Sequence, residues 1–177
     1  VKGSQEIKIT GITQDARQII HGNLFVAKRD NHCDGTKMAP AAVKNGAVAI
    51  LSDFYDPFIK VTQLMHPNVM QVACKLANRL YQNPSNQLFL VGVAGAGGKT
   101  TTTYLLHHIL SQLNHPTGLM NTIEKWVQQV RMPTIYKMDD CLTSQRYLRE
   151  MVDLGVKSAV MEVSLQQLAR GQLEGLY

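Results

Sequence analysis

The sequence LFLVGVAGAGGKTT at residues 88–101 decides the architecture expected for this chain. Residues 88–93 form an almost entirely apolar run, which is typical of a strand in a parallel sheet that is covered on both faces. A glycine-rich loop follows, and the helical pattern of residues 99–113 begins directly after it. A strand, a glycine-rich loop and a helix in this order predict a phosphate-binding unit of an α/β fold.

The loop itself has the composition of a phosphate site. Glycines let backbone N–H groups converge on phosphate oxygens, and the helix N-terminus adds a partial positive charge. We expect Lys99 to contact the β- and γ-phosphates of ATP and the Thr100 hydroxyl to bind Mg²⁺. Because the longer pattern has a glycine where Val93 stands, a tight turn with a solvent-facing lysine is the alternative. The residues expected to bind the nucleotide are Gly95, Ala96, Gly97, Gly98, Lys99, Thr100 and Thr101.

A second apolar run, at residues 158–163, contains the acidic residue that we expect to be the other metal ligand. Glu162 lies near the end of this run, and ligands of open α/β sheets collect at the carboxyl ends of strands. An isolated carboxylate is costly to bury, which favours a functional role over the alternative, a cap of the next helix. The sequence therefore predicts Thr100 and Glu162 as Mg²⁺ ligands.

Outside these motifs, short β-rich runs alternate with helical stretches, which indicates α/β layers. The segment QNPSN at residues 82–86 interrupts a helical pattern and is the strongest linker candidate. We predict a small mixed-sheet N-terminal domain over residues 1–86 and an incomplete, P-loop-type parallel α/β central domain over residues 87–177. The remaining predicted strands are residues 7–12, 23–27 and 47–51, and the remaining predicted helices are residues 38–45, a helix starting at Pro67, and residues 144–154.

The composition of the 177 residues excludes several classes of protein. Hydrophobic residues make up 45% and charged residues only 18%, which excludes disorder as the overall state. No apolar run approaches the ~20 residues of a membrane span, and a signal pattern is missing, so we expect a cytoplasmic protein without a membrane role. The net charge of +5 is mild and dispersed. It suits phosphate-bearing ligands but does not indicate direct binding of nucleic acid.

Three segments in a fixed order resemble the Mur ligases, in particular those of the MurE type. They are VGVAGAGGKTTTTYLLHHIL at 91–110, VMEVSLQQLARG at 160–171, and an upstream series from ITQDAR at 12–17 to APAAVKNGAVAILSD at 39–53. The resemblance implies a ligase that joins a diamino acid to UDP-N-acetylmuramoyl dipeptide through an acyl phosphate, with an N-terminal domain for the UDP part and a central domain for ATP.

The resemblance also implies roles for individual residues. Lys99 resembles the phosphate-binding lysine, while Thr100 and Glu162 resemble the Mg²⁺ ligands. Ser164 matches a serine that touches the UDP substrate. The segment ahead of Asp34 and Gly35 falls where the family contacts the uridine part, although a surface-loop histidine is an equal alternative there. Its residues are Asn31, His32 and Cys33.

Several substrate-facing positions depart from the family pattern. The family's Asp-Ser-Arg reads Asp-Ala-Arg here because Ala16 replaces the serine, and its Ser-Ser-His after the glutamate reads Ser-Leu-Gln because of Leu165 and Gln166. The family's Thr-Thr pair falls on Lys137 and Met138. Each lost polar contact would cost on the order of 1–3 kcal/mol, so several together would weaken substrate binding.

The chain is also shorter than the resemblance requires. The rest of the central domain and a third domain that closes over the amine are missing, so we do not expect these residues alone to complete a ligation. An incomplete central sheet would expose an apolar strand edge, which favours a protein partner or self-association.

Three hypotheses of function follow. The first is the N-terminal portion of a MurE-type ligase. The second is an inactive relative retained for assembly, as in plastid RNA polymerase complexes, which would lie in the plastid stroma. The third is another ATP-binding α/β protein, such as a relative of folylpolyglutamate synthase, which leaves the first 86 residues unexplained. The diamino acid is not predicted.

Overall fold

Contacts within the chain divide it into two units, Val1–Leu80 and Tyr81–Tyr177. The computed structural model of the protein describes residues 1–4, 6–29, 34–113, 115–132, 141–169, 173, 175 and 176. The division after Leu80 precedes the boundary at residue 86 that the sequence predicts. No helix within these described ranges has the length and apolarity needed to cross a membrane.

The first unit is built on a four-stranded sheet in the order β1-β2-β3-β4. All three neighbouring pairs run parallel. The two central strands, β2 and β3, are buried along their whole length, and Phe25 of β2 is completely buried in the core beneath the sheet. The elements are β1 (Gly11–Thr13), β2 (Asn23–Val26), α1 (Ala39–Lys44), β3 (Ala49–Ser52), β4 (Thr62–Met65) and α2 (Val69–Leu80).

The α/β class is confirmed for this unit, but its predicted mixed sheet is wrong, because the four strands are parallel. Antiparallel pairing in the described part of this unit is limited to two isolated bridges, one between Lys2 and Gln63 and one between Arg29 and Asp34. Helix α1 lies in the connection from β2 to β3. Such a crossover carries the chain back to the end of the sheet where β2 began, so that β3 runs parallel to β2. Strand β4 (Thr62–Met65) was not predicted, since its short Thr-Gln-Leu-Met sequence lacks a β-rich pattern.

The second unit contains a five-stranded sheet in the order β5-β9-β6-β7-β8. Strand β9 is buried over all six residues, whereas β5 lies at one edge of the sheet and leaves Phe89 64% exposed. A core of apolar side chains from α4 packs against the sheet. The elements are β5 (Phe89–Ala94), α3 (Lys99–Gln112), β6 (Thr117–Met120), β7 (Lys125–Val127), β8 (Val130–Met132), α4 (Cys141–Asp153), β9 (Ser158–Val163) and α5 (Leu165–Ala169).

The central sheet was predicted to be parallel, and this is only partly right. Strands β5, β9 and β6 are parallel, but β7 and β8 form a hairpin that adds two antiparallel strands. Gln128 in the hairpin turn adopts φ 56°, a left-handed conformation in which glycine or asparagine is usually found. The glutamine in this place left no sequence signal for a hairpin.

Strand β6 (Thr117–Met120) was also missed, because Pro116 and Gly118 read as turn residues. Gly118 instead lies directly against the Met151 side chain of α4. A Cβ atom at this position would lie 2.5 Å from Sδ of Met151, so a larger residue would displace this buried side chain.

Candidate functional site

The candidate site lies at the edge of the second sheet where its three parallel strands end. Val93 of β5 pairs with Glu162 of β9, and Met120 of β6 pairs with Met161 of β9. Because of this register, three parts of the chain lie next to one another: the glycine loop after β5, the carboxylate near the end of β9 and the segment after β6. It is the edge at which open α/β sheets bind ligands.

The glycine loop leaves open space in front of the N-terminus of α3. Gly98 is the N-cap residue and adopts φ 75°, a left-handed conformation that favours glycine. A Cβ atom added at Gly97 or Gly98 would meet no atom within 4 Å. Since glycine has no side chain to cap the helix, the N-terminal N–H groups of α3 can donate hydrogen bonds to an anion bound in that space.

Glu162 is the centre of the polar contacts beside this loop. It is only 8% exposed, and its Oε2 atom accepts a hydrogen bond of 2.9 Å from the Thr100 hydroxyl. The Thr122 hydroxyl donates to the same oxygen at 3.2 Å, and the Thr122 backbone N–H does so at 3.4 Å. The Lys99 ammonium lies 3.8 Å from Oε1. Three residues singled out in the sequence, Lys99, Thr100 and Glu162, are thus brought together.

The oxygen atoms at this position fit a magnesium ion that is also bound by phosphates. Mg²⁺ usually takes one or two protein oxygen ligands and completes its shell with substrate phosphates and water. Thr100 Oγ1 and the Glu162 carboxylate supply two such oxygens. In the part of the chain that the structure describes, no three His, Cys, Asp or Glu side chains cluster closely enough to hold a metal. The donor set therefore suits a metal that arrives with a nucleotide.

A second polar cluster begins one turn further along α3. The Tyr104 hydroxyl donates a hydrogen bond to the buried Glu124 carboxylate, and Arg131 of β8 forms an ion pair of 2.8 Å with it. The hydrogen bond from Tyr104 holds the pKa of Glu124 below its usual value. Burial, and then the hydrogen bond to Glu124, raise the pKa of Tyr104. This cluster ties the phosphate-loop helix to the β7–β8 hairpin.

Ser164 has a role in the local fold that the sequence did not predict. Its Oγ atom accepts a hydrogen bond of 3.1 Å from the backbone N–H of Gln167, and the Gln167 side chain accepts one of 2.8 Å from the backbone N–H of Ser164. This reciprocal pair is a capping box for α5. The Ser164 hydroxyl is an acceptor here and retains a proton that it can donate to a ligand.

The other predicted substrate residues are placed as follows. Asn31, His32 and Cys33 lie outside the described residues, as do Lys137 and Met138. Ala16, at the position of the family's serine, is 6% exposed and belongs to the core of the first unit. Beside it, the Arg17 guanidinium engages the Asp15 carboxylate at 2.7 Å and 3.0 Å, and the hydrogen bond from Arg17 lowers the pKa of Asp15.

Sequence reasoning missed Thr122, Tyr104 and Glu124. The sequence Asn-Thr-Ile-Glu at 121–124, with three polar residues in four, follows the buried end of β6, and polar residues after a buried strand are a signal for a ligand edge. That signal was hidden because β6 itself was not predicted.

Two family models match the chain in the order of its two units. The model of the Mur ligase family, catalytic domain, matches residues 8–87, and that of the Mur ligase middle domain matches residues 93–177. The UDP-N-acetylmuramoyl-L-alanyl-D-glutamate–2,6-diaminopimelate ligase of Chlamydia caviae is 38% identical over 158 residues, which are 89% of this chain and 33% of the relative.

Solved structures agree with these matches. A structure of a UDP-N-acetylmuramoyl-L-alanyl-D-glutamate–2,6-diaminopimelate ligase superposes with a TM-score of 0.79 at 25% identity, covering 94% of this chain and 34% of that one. The MurF ligase of Thermotoga maritima, solved in complex with ADP, superposes with a TM-score of 0.57. The superposition covers 91% of this chain and 33% of the MurF chain, and at 20% identity the likeness concerns the fold alone.

The chain thus spans about a third of the length of the relatives it matches. Its two units correspond, in order, to the two matched family models, and its phosphate-loop residues converge where the parallel strands end. This chain belongs to the Mur ligase family.

Proposed function

We propose that this chain is the nucleotide-binding and UDP-substrate-binding part of an ATP-dependent ligase that adds 2,6-diaminopimelate to UDP-N-acetylmuramoyl-L-alanyl-D-glutamate. The name of the Chlamydia caviae relative supports the reaction and suggests the diamino acid, which the sequence left open. Because these residues match only a third of that relative, the ligation itself is a property of the longer enzyme.

The observation that carries the proposal is the convergence of Lys99, Thr100 and Glu162 beside an open glycine loop. The Lys99 ammonium would offset the negative charge of the β- and γ-phosphates, and Thr100 and Glu162 would hold the Mg²⁺. When bound, the magnesium ion offsets charge on the transferred phosphoryl group. The Lys99 ammonium lies 3.8 Å from Oε1 of Glu162, which supports a role for both side chains at one nucleotide site.

The roles of Gly95, Ala96 and Thr101 in the phosphate loop, and of Ser164 toward the UDP substrate, belong to the same proposal. Ser164 is supported by its position after Glu162, at the carboxyl end of β9. The proposal also includes contacts of Asn31, His32 and Cys33 with the uridine part.

Isothermal titration of the chain with ADP and MgCl₂ tests the nucleotide site. We expect measurable binding that Lys99→Ala reduces by at least about tenfold, since a hydrogen bond to a charged group contributes about 1.5–3 kcal/mol. Lys157→Ala, a lysine at the amino end of β9, is a matched control that should leave the affinity unchanged. Equal affinity of Lys99→Ala and the unaltered chain would contradict the assignment.

A turnover assay on the longer enzyme separates ligase activity from the assembly role. Phosphate release that depends on both the muramoyl dipeptide and diaminopimelate would establish the reaction, and its absence would favour the inactive relative. No described contact favours that second hypothesis, and the relatives above give the plastid location no support.

We place the ligase in the cytoplasm, where ATP and nucleotide-activated sugars are available. Self-association through the edge of β5 stays a prediction, which analytical ultracentrifugation would test.

A further inference from the structure

The carboxylate of Glu162 has one hydroxyl partner that belongs neither to the glycine loop nor to the helix after it. Thr122 lies in the segment that follows β6, and both its side chain and its backbone N–H donate to Oε2 of Glu162, at 3.2 Å and 3.4 Å. The Thr100 hydroxyl donates to the same oxygen at 2.9 Å. These two threonines therefore approach one buried carboxylate oxygen from different elements.

The two threonines differ in what a bound metal would require of them. If Thr100 bound Mg²⁺ through a lone pair of Oγ1, the direction in which its hydroxyl can donate to Glu162 would be restricted by the ion. Thr122 carries no such demand. Its hydroxyl and its N–H can stay on Oε2 while the other side of the carboxylate turns to the metal.

The segment around Thr122 is held rigidly by its own hydrogen bonds. The Asn121 side chain accepts from the backbone N–H groups of Ile123 at 2.9 Å and Glu124 at 2.8 Å. The Asn121 backbone N–H donates to the Glu124 carbonyl at 3.1 Å, which closes the turn. Glu124 in turn is fixed by Tyr104 and Arg131. Thr122 is consequently presented to Glu162 by a preformed loop.

We infer that Thr122 is a positioning residue for the metal site: it fixes the rotamer of Glu162, so that the carboxylate is already oriented when Mg²⁺ arrives with the nucleotide. This inference rests on the proposed function, since it concerns the same nucleotide site. A carboxylate fixed in advance binds its metal more tightly because less side-chain freedom is lost on binding.

Titration calorimetry of the chain with ADP, with MgCl₂ and in EDTA, tests this role. Thr122→Val keeps the shape of the side chain but removes the hydroxyl. We expect it to weaken ADP binding about fivefold or more in Mg²⁺, in keeping with the loss of a hydrogen bond to a charged group, and to change binding in EDTA less than about twofold. Thr122→Ser keeps the hydroxyl and should retain the affinity of the unaltered chain in both conditions.

Thr102→Val is the matched control, because Thr102 is exposed on α3 and makes no described contact with Glu162. Thr122 is itself exposed, so its substitution should leave the thermal midpoint nearly unchanged. Equal Mg²⁺-dependent affinity of Thr122→Val and the unaltered chain would overturn the inference, as would an equal loss in Mg²⁺ and EDTA. If the unaltered chain binds no ADP in either condition, the proposed nucleotide site fails, and the inference fails with it.

Discussion

In each of the two units, the parallel strands end at one edge of that unit's own sheet, but the side chains found at this edge differ between the units. In the second unit, the edge holds an open glycine loop and hydroxyl groups around the buried Glu162 carboxylate. In the first unit, Arg29 follows β2 and lies 3.9 Å from Asp53, with its guanidinium 4.2 Å from the Phe54 ring centroid. That cation is 50% exposed.

The comparison separates two determinants of a ligand site. A parallel sheet determines where strand ends meet, and it does so in both units. The side chains at those ends determine what can bind. Glycine and hydroxyls suit phosphate with a metal, whereas Arg29 already lies beside the carboxylates of Asp34 and Asp53 within its own unit. Substitutions in one unit should therefore leave the chemistry of the other intact, and the following experiments test this.

The largest effect is expected from Phe25→Ala in the first unit. Phe25 is fully buried in the core, and such a truncation costs about 3–5 kcal/mol of unfolding free energy. Urea denaturation followed by circular dichroism would measure this loss. The matched control is Phe58→Ala, which removes a side chain that is 88% exposed and should change stability by less than about 0.5 kcal/mol.

The same variant asks whether the nucleotide site belongs to the second unit alone. Under native conditions, we expect the affinity of Phe25→Ala for ADP and Mg²⁺ to stay within about twofold of the unaltered chain, because every contact of Glu162 described above lies in the second unit. A chain that stays folded but loses nucleotide binding would break the comparison.

An intermediate effect is expected from Gly98→Ala, compared with Gly155→Ala. The two glycines adopt φ 75° and 78°, and a Cβ atom at either position meets no atom within 4 Å. Both substitutions should cost about 1–2 kcal/mol of stability, because the left-handed conformation is unfavourable for alanine. Only Gly98→Ala places a methyl group beside the phosphate loop, so only this variant should weaken ADP binding, by about tenfold. Thermal unfolding and calorimetry measure the two effects, and similar affinities for both variants would refute a role for the open loop.

The smallest effect is a dependence of stability on pH that comes from His107 in the second unit. Burial lowers the pKa of His107, whose Nε2 atom lies 3.3 Å from the Thr117 carbonyl oxygen. The unfolded chain takes up this proton near pH 6.5 and the folded chain only at lower pH, so stability should fall as pH drops below about 6.5. Urea midpoints between pH 8 and pH 5 should flatten in His107→Gln but not in His21→Gln, where the histidine is exposed. Identical curves for both variants would exclude His107 as the source.

Much of the framework could be predicted because its patterns are local. The apolar run of β9 was predicted to the residue at Ser158–Val163, and α3 was predicted within a residue of its observed end at Gln112. Strands β4, β6, β7 and β8 were not predicted. They are short, they contain polar residues or glycine, and they become strands only because a neighbouring strand completes their hydrogen bonds.

The candidate site was predictable to the same extent. Lys99, Thr100 and Glu162 belong to motifs whose chemistry can be recognised from the local sequence. Thr122 and Tyr104 were not recognised, since their local sequence does not show that their partners are Glu162 and Glu124. Their contacts join residues 40 and 20 positions apart, and only the register of β6 against β9 and the packing of α3 bring them together.

The sequence by itself therefore determined an α/β chain with a phosphate loop, a carboxylate at the end of a buried strand and a resemblance to the Mur ligases. Each of these depends on residue types at fixed short spacings, which the sequence states directly. The tertiary structure decided that the first sheet is parallel and the second mixed, that Ser164 caps α5, and that Thr122 reaches Glu162. Those features depend on strand register and packing between residues far apart in the chain, and such contacts form only when the whole unit folds.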